Sequence, residues 1–230
     1  MSKVVLVTGS SKGIGAATIE EFASNGYDVI INYNTSENIA LNLYNRIKKK
    51  YDINVYLERF DITNELEVEN IFNKYKIDIL INNAAISIDS NIEEKDKNSF
   101  MKVLEVNVFG TFFMSKTFIQ SNKEGIIVNV SSTDAIDTYN TLSIDYSASK
   151  AAILNMTKNM SNTYNNFKIC AICPNWVNTE AIKEMNKEYL ESEMKRIGQK
   201  KLIEPNIVAK KIYDIVNDNN IISGSIVRLD

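Results

Sequence analysis

Four side chains in the middle of this 230-residue chain are of the types that can together move a proton. Tyr146 and Lys150, in Tyr146-Ser147-Ala148-Ser149-Lys150, stand four apart in a helical stretch, so one face carries both. Ser132 follows an apolar run in Asn129-Val130-Ser131-Ser132, and Asn107 lies mid-helix in Glu105-Val106-Asn107-Val108-Phe109-Gly110. A phenol titrates near pH 10, about three units or ~4 kcal/mol above neutrality. An ammonium one turn away stabilises the phenolate and lowers that pKa. Such a phenol can give its proton to the alkoxide that develops when a ketone accepts hydride. Each residue alone has an ordinary explanation: an Asn satisfying buried backbone, serines ending a loop, a Tyr/Lys pair on a helix surface. Their order along the chain, behind a glycine turn near the start, is what gives them weight.

That turn is Thr8-Gly9-Ser10-Ser11-Lys12-Gly13-Ile14-Gly15, between the apolar run Val4-Val5-Leu6-Val7 and the helical Ala16-Ala17-Thr18-Ile19-Glu20-Glu21-Phe22-Ala23. Gly9 lets the chain leave a strand sharply. Gly13 and Gly15 remove side chains that would hold a phosphate off the backbone and the helix off the sheet. The first-turn N–H groups then face an anion, which the helix dipole favours. The ending Gly-Lys-Ser/Thr of a P-loop is missing, and the spacing differs from G-x-G-x-x-G.

The elements that must position these residues alternate along the whole chain. Strands are expected at 3–8, 28–33, 53–58, 78–82, 125–130, 167–173 and 225–229. Helices are expected near 14–25, 36–50, 64–75, 97–121, 146–165, 180–195 and 205–217. The strands are continuous apolar runs, as in Ile126-Ile127-Val128-Asn129-Val130, which suits a sheet buried on both faces. With only eight glycines, two prolines and no linker, the expectation is an α/β fold. It is a single doubly wound domain over 1–230 with a seven-stranded parallel sheet.

T-G-x-x-x-G-x-G, followed by Asn82-Asn83-Ala84-Ala85, Asn107, Ser132 and Y-x-x-x-K, resembles the short-chain dehydrogenase/reductase family along nearly the whole chain. The resemblance implies a Rossmann-type nicotinamide cofactor site. It implies that Gly9, Ser11, Lys12, Gly13, Ile14, Gly15 and Asn83 surround the cofactor. Asp61 would receive the adenine amino group and Ile62 would pack near the ring, although Asp61 or Thr63 could simply cap a helix. Tyr146 would be the general acid/base. Lys150 would tune it and hold the nicotinamide ribose, Ser132 would hydrogen-bond the carbonyl, and Asn107 would hold a water linking Lys150 to solvent. Cys173-Pro174-Asn175-Trp176-Val177-Asn178-Thr179 matches P-G-x-x-x-T, so Pro174, Val177 and Thr179 would lie at the nicotinamide, with 180–198 as a mobile lid. Two departures stand out. Ala85 replaces a glycine and restricts the backbone to negative φ, and Asn175 replaces another, where a left-handed residue is expected. Ser132 lies fourteen residues before Tyr146, one more than in close bacterial relatives, which suggests a remodelled loop over 133–145.

The end of the second strand, Val29-Ile30-Ile31-Asn32-Tyr33-Asn34-Thr35-Ser36, decides the cofactor. An acid there holds the ribose 2′-hydroxyl of NAD, and here Tyr33 takes that position. Asn34, Thr35 and Ser36 offer donors and Lys12 a nearby cation, although a polar turn capping the next helix would read similarly. NADP(H) is favoured over NAD(H).

A net charge of −3, with scattered lysines, leaves no electrostatic footprint for nucleic acid or an anionic membrane. No apolar run spans a bilayer, and two cysteines without an export signal favour the cytoplasm. The absence of histidine excludes His-based triads and His-ligated metals, and no metal is expected. Cys170-Ala171-Ile172-Cys173 falls in a strand, where residues three apart face opposite ways, so both are expected in the core.

The overall pattern looks most like bacterial 3-oxoacyl-[acyl-carrier-protein] reductases and their paralogues. The resemblance implies reduction of a 3-oxoacyl thioester and a homo-oligomer, tetramer or dimer, through the helices at 97–121 and 146–165. An acyl carrier protein would be a partner, but basic residues that attract one are missing around Gln120–Gly125 and Tyr164–Asn166. The glycine-rich tail usual in the family is also missing after Asp230. A small non-carrier ketone, sugar or alcohol is the alternative substrate. A non-catalytic nucleotide sensor is the other class, and such proteins generally lose the tyrosine or lysine kept here.

Overall fold

The computed structural model describes residues 2–230. Seven strands form one sheet: β1 (Val4–Val7), β2 (Asp28–Tyr33), β3 (Val55–Arg59), β4 (Ile79–Asn82), β5 (Gly125–Val130), β6 (Phe167–Pro174) and β7 (Ile226–Leu229). Their order is β3-β2-β1-β4-β5-β6-β7, and every pairing is parallel. Continuous apolar strands of this kind are stable only if both faces are covered. Val5, Val7, Val29 and Ile31 enter one core, whereas their alternates Leu6 and Ile30 enter the other.

Nine α-helices follow among the described residues: α1 (Gly13–Ser24), α2 (Glu37–Lys50), α3 (Glu65–Lys74), α4 (Lys97–Leu104), α5 (Thr111–Ser121), α6 (Ile144–Thr163), α7 (Glu180–Lys183), α8 (Lys187–Ile197) and α9 (Pro205–Asn217). The first core takes Phe22 of α1, Ile47 of α2 and Ile212 of α9, and the second takes Phe72 of α3 and Phe118 of α5. The sequence of α9 shows why. Val208, Ala209, Ile212, Ile215 and Val216 recur on one helical face, all are buried, and Pro205 sits at the start, where its missing N–H costs nothing.

β1 pairs β2 on one side and β4 on the other, so the chain reverses its direction of winding between β1 and β4. Loops leaving the carboxyl ends of those two strands diverge and open a crevice, the usual ligand site of such sheets. All seven expected strands form, most within one residue of their expected ends. Two helices differ. The stretch 97–121 is interrupted by a π-turn over Glu105–Gly110, and 180–195 breaks into α7 and α8 because Asn186 caps α8 by accepting from the Tyr189 N–H at 3.0 Å.

Cys170 and Cys173 are free, fully buried and divided between two different core clusters, as a strand position requires. Burial raises both thiol pKa values, that of Cys173 to about 11. Among the described residues no helix is long and apolar enough to cross a membrane, and no His/Cys/Asp/Glu cluster could hold a metal.

Candidate active site

The glycine turn is pressed against the end of β4. Gly9 has φ +59°, and a Cβ there would stand 2.8 Å from the Ala84 Cα. A Cβ on Gly15 would stand 2.7 Å from the Ser10 Cα and from the Asn83 amide. Neither position admits a side chain. The Thr8 hydroxyl accepts the Asn83 and Ala84 N–H groups, each at 3.0 Å, and the Asn83 amide donates to the Thr8 and Gly9 carbonyls at 2.9 and 3.1 Å. Asn83 therefore staples the two loops of the crevice together. Ala85 keeps negative φ, and among the described residues Tyr139 alone has positive φ without being glycine. Asn175 is accordingly not left-handed. Its carboxamide oxygen instead accepts from the Thr133 hydroxyl and the Trp176 N–H, and those bonds hold the turn.

At the far end, the Asn34 amide donates to the Asp61 carboxylate at 2.8 Å. Asp61 also accepts from the Thr63 N–H and hydroxyl, but it does not cap α3; Asn64 does. Ile62 is buried, and its side chain leaves no room for a Cβ on Gly110. Arg59, which the sequence reading passed over, pairs in register with Tyr33 and donates from its Nε to the Asn34 carbonyl at 3.2 Å. The pairing of strands 28–33 and 53–58 was the signal that could have found it.

Asn107, Ser132, Tyr146 and Lys150 converge from three elements. Asn107, fully buried in the π-turn, grips the backbone of Ile86 from both sides: its oxygen accepts the Ile86 N–H at 2.8 Å and its amide donates to the Ile86 carbonyl at 2.9 Å. The same amide donates to the Ser149 hydroxyl at 3.0 Å, which ties the π-turn to α6. With the side chain so occupied, a water at Asn107 would have to use its backbone. Ser132 closes a short turn by accepting the Asp134 N–H. Ser131 instead donates to the Lys150 carbonyl and Thr133 to Asn175, so Ser132 is the hydroxyl of the three that reaches the Tyr146 phenol.

Lys150, 2% exposed, sits 5.3 Å from the centre of the Tyr146 ring and donates to the Val130 carbonyl at 2.7 Å. That is one acceptor for three donors, and the rest of the ammonium lines the cleft. Burial lowers its pKa to about 8. The Tyr146 phenol, which Lys150 together with an oxidised nicotinamide is expected to lower, is raised by the protein's own groups. Burial is the largest cause and the Asp134 charge next, with Ser132 opposing them. The protein's own surroundings keep the phenol protonated, the form that a donor needs.

One cleft of about 440 Å³ contains Lys12, Gly13, Ile14, Asn83, Ser132, Tyr146, Lys150, Pro174, Val177 and Thr179. Thr179 lies against Gly13, so the segment after β6 and the glycine turn meet. Gly9, Ser11 and Gly15 belong to the same turn without lining the cleft, Asn107 holds the lining residue Ile86, and Asn34, Asp61 and Ile62 lie outside the lining. The residues fit a dinucleotide: a glycine turn free of side chains, first-turn N–H groups of α1 with no acid within that turn, and a buried ammonium with donors to spare. Asp89, Asp134, Asn140 and Ser143 also line the cleft and carried no sequence signal that we read.

Comparison with known proteins agrees with this geometry. Residues 3–190 match the short chain dehydrogenase family model. An uncharacterized oxidoreductase of Thermotoga maritima is 31% identical, covering 99% of this chain and 96% of the other. An acetoacetyl-CoA reductase of Rhizobium meliloti is 30% identical with the same coverage. The solved structure of ElxO with NADP bound superposes with a TM-score of 0.89 at 31% identity, covering 100% of this chain and 98% of that one. The chain belongs to the short-chain dehydrogenase family of NAD(P)-dependent oxidoreductases.

Proposed function

We propose that this chain is an NADPH-dependent reductase that transfers hydride to a ketone, with a 3-oxoacyl thioester as substrate class. The observation that carries the reading is the convergence of Ser132, Tyr146 and Lys150 on the cleft that begins at the glycine turn. A bound nicotinamide would supply the hydride. Ser132 would donate a hydrogen bond to the ketone oxygen, and the protonated Tyr146 phenol would give up its proton as charge develops there. Lys150 would hold the ribose with its remaining donors. Asp61 would take the adenine amino group beside Ile62, and Pro174, Val177 and Thr179 would border the nicotinamide ring.

NADP(H) is preferred over NAD(H) in this reading. Tyr33 stands where NAD enzymes place an acid, Arg59 reaches the Asn34 backbone, and Lys12 in the glycine turn would supply a second cation suited to a 2′-phosphate. The Rhizobium meliloti acetoacetyl-CoA reductase supports the thioester class. A small hydroxylated ketone is the second reading, favoured by the Asp89 and Asp134 carboxylates in the cleft. α7 and α8 form a lid whose base is closed by the Val177–Ile203 bridge and by paired bonds between Gln199 and Trp176. We place the enzyme in the cytoplasm, as a homo-oligomer, with an acyl carrier protein as a possible carrier of the substrate.

Titration of NADPH and NADH, followed by NADPH oxidation with acetoacetyl thioesters and a panel of hydroxylated ketones, tests the reading. Faster turnover of the thioester supports the first class and faster turnover of hydroxyketones the second. Tight NADPH binding without turnover across the panel would contradict both.

A further inference from the structure

A buried ion pair sits one residue from Tyr146 and has no part in the chemistry described so far. The Lys95 ammonium contacts both oxygens of Asp145, at 2.9 and 2.8 Å, with side chains 5% and 0% exposed. The same ammonium donates to the Ile88 carbonyl. Asp145 in turn accepts the Tyr146 N–H at 2.9 Å. Lys95 therefore joins the β4–α4 loop, whose Ile86, Ser87 and Asp89 wall the cleft, to the first turn of the helix that carries Tyr146. The Ser90 N–H donates to the Leu142 carbonyl at 3.0 Å, a second tie across the same seam.

A buried ion pair is a poor source of stability, because desolvating two charges offsets most of their attraction. It does impose one geometry on the elements that it joins. Reaction rates are sensitive to such geometry, and a displacement near 1 Å can cost about 100-fold. We propose that Lys95 is a positioning residue: through Asp145 it fixes Tyr146 against the cleft wall formed by residues 86–89. The inference rests on Tyr146 being the proton donor.

The test uses Lys95→Met, Lys95→Arg and the neutral double variant Lys95→Met/Asp145→Asn, in which the Asn oxygen still accepts the Tyr146 N–H. Thermal midpoints, NADPH Kd and ketone kinetics are measured for each, with Tyr146→Phe as reference. The double variant is expected to keep or raise the thermal midpoint and to keep NADPH Kd within about two-fold, while kcat falls about 10- to 100-fold. Lys95→Arg is expected to retain most of kcat. A folded double variant with wild-type kcat would overturn the inference and leave the reading of function untouched. So would a kcat loss in Lys95→Met matched by an equal loss of NADPH affinity. If Lys95→Met does not fold, the double variant and Lys95→Arg still decide the matter. A Tyr146→Phe protein as active as wild type would overturn the assignment of the proton donor and this inference with it.

Discussion

Lys150 carries two opposing demands: it is held in a buried site, and it is a group that the proposed chemistry wants charged. Burial lowers its pKa from 10.5 to about 8, so between those values the unfolded chain binds more protons than the folded one. Stability therefore rises with pH across that window, while below pH 8 the burial cost is present in full. Above pH 10 the raised phenols, Tyr146 and Tyr33 among them, oppose the gain because the folded chain then holds the extra protons. From pH 7 to 9 the wild type should gain about 1 kcal/mol relative to Lys150→Met in denaturant unfolding. Parallel curves for the two proteins would contradict the burial argument. Lys12 is the other exposed test at this scale. Lys12→Ala should narrow the NADPH/NADH preference about tenfold, and Arg59→Ala should narrow it further, read as a ratio of dissociation constants. The residue types and their order were legible in the sequence because side-chain chemistry is local. The direction of the Tyr146 shift was not, because the burial of the phenol, and the approach of Asp134 and Asp89 to it, arise only through folding.

Among the elements, the turn between β1 and α1 is the least tolerant. Gly15→Ala would drive a methyl into the Ser10 Cα and the Gly9 carbonyl oxygen, both backbone atoms unable to rotate away. Loss of about 1–3 kcal/mol of stability is expected, with at least about tenfold weaker NADPH binding, measured by thermal shift and fluorescence titration. Strands and most helices could be read in advance because burial writes a period into the sequence, as Val208, Ala209, Ile212, Ile215 and Val216 show for α9. The π-turn at Glu105–Gly110 was invisible to such patterning. One extra residue in a turn leaves the apolar stripe nearly intact on either side, yet it rotates Asn107 onto the Ile86 backbone and toward Ser149. The break between α7 and α8 was signalled only by Asn186, a cap easily passed over inside a polar stretch.

At the scale of the whole molecule, the phenylalanines of the stretch 105–121 are separated by the fold. Phe118 is fully buried under the sheet, whereas Phe109 and Phe112 are 45% and 38% exposed on the same helical stretch. Covering them in a homo-oligomer is the expected outcome, and light scattering at micromolar concentration should report a dimer or tetramer; a monomer would contradict it. The seven-stranded parallel sheet could be anticipated, because alternating apolar strands and helices admit few topologies. The substrate could not, since the wall of the cleft is assembled from residues of 86–89, 132–143 and 180–185, whose approach no local pattern encodes. The account stands or falls on whether this cleft reduces a ketone through Tyr146. NADPH oxidation by wild type and by Tyr146→Phe, with NADPH affinity measured in parallel, tests it most directly. The variant should bind NADPH within about twofold of wild type and lose about 100- to 10,000-fold in kcat, the range of a general acid. Comparable turnover by the two proteins would contradict it.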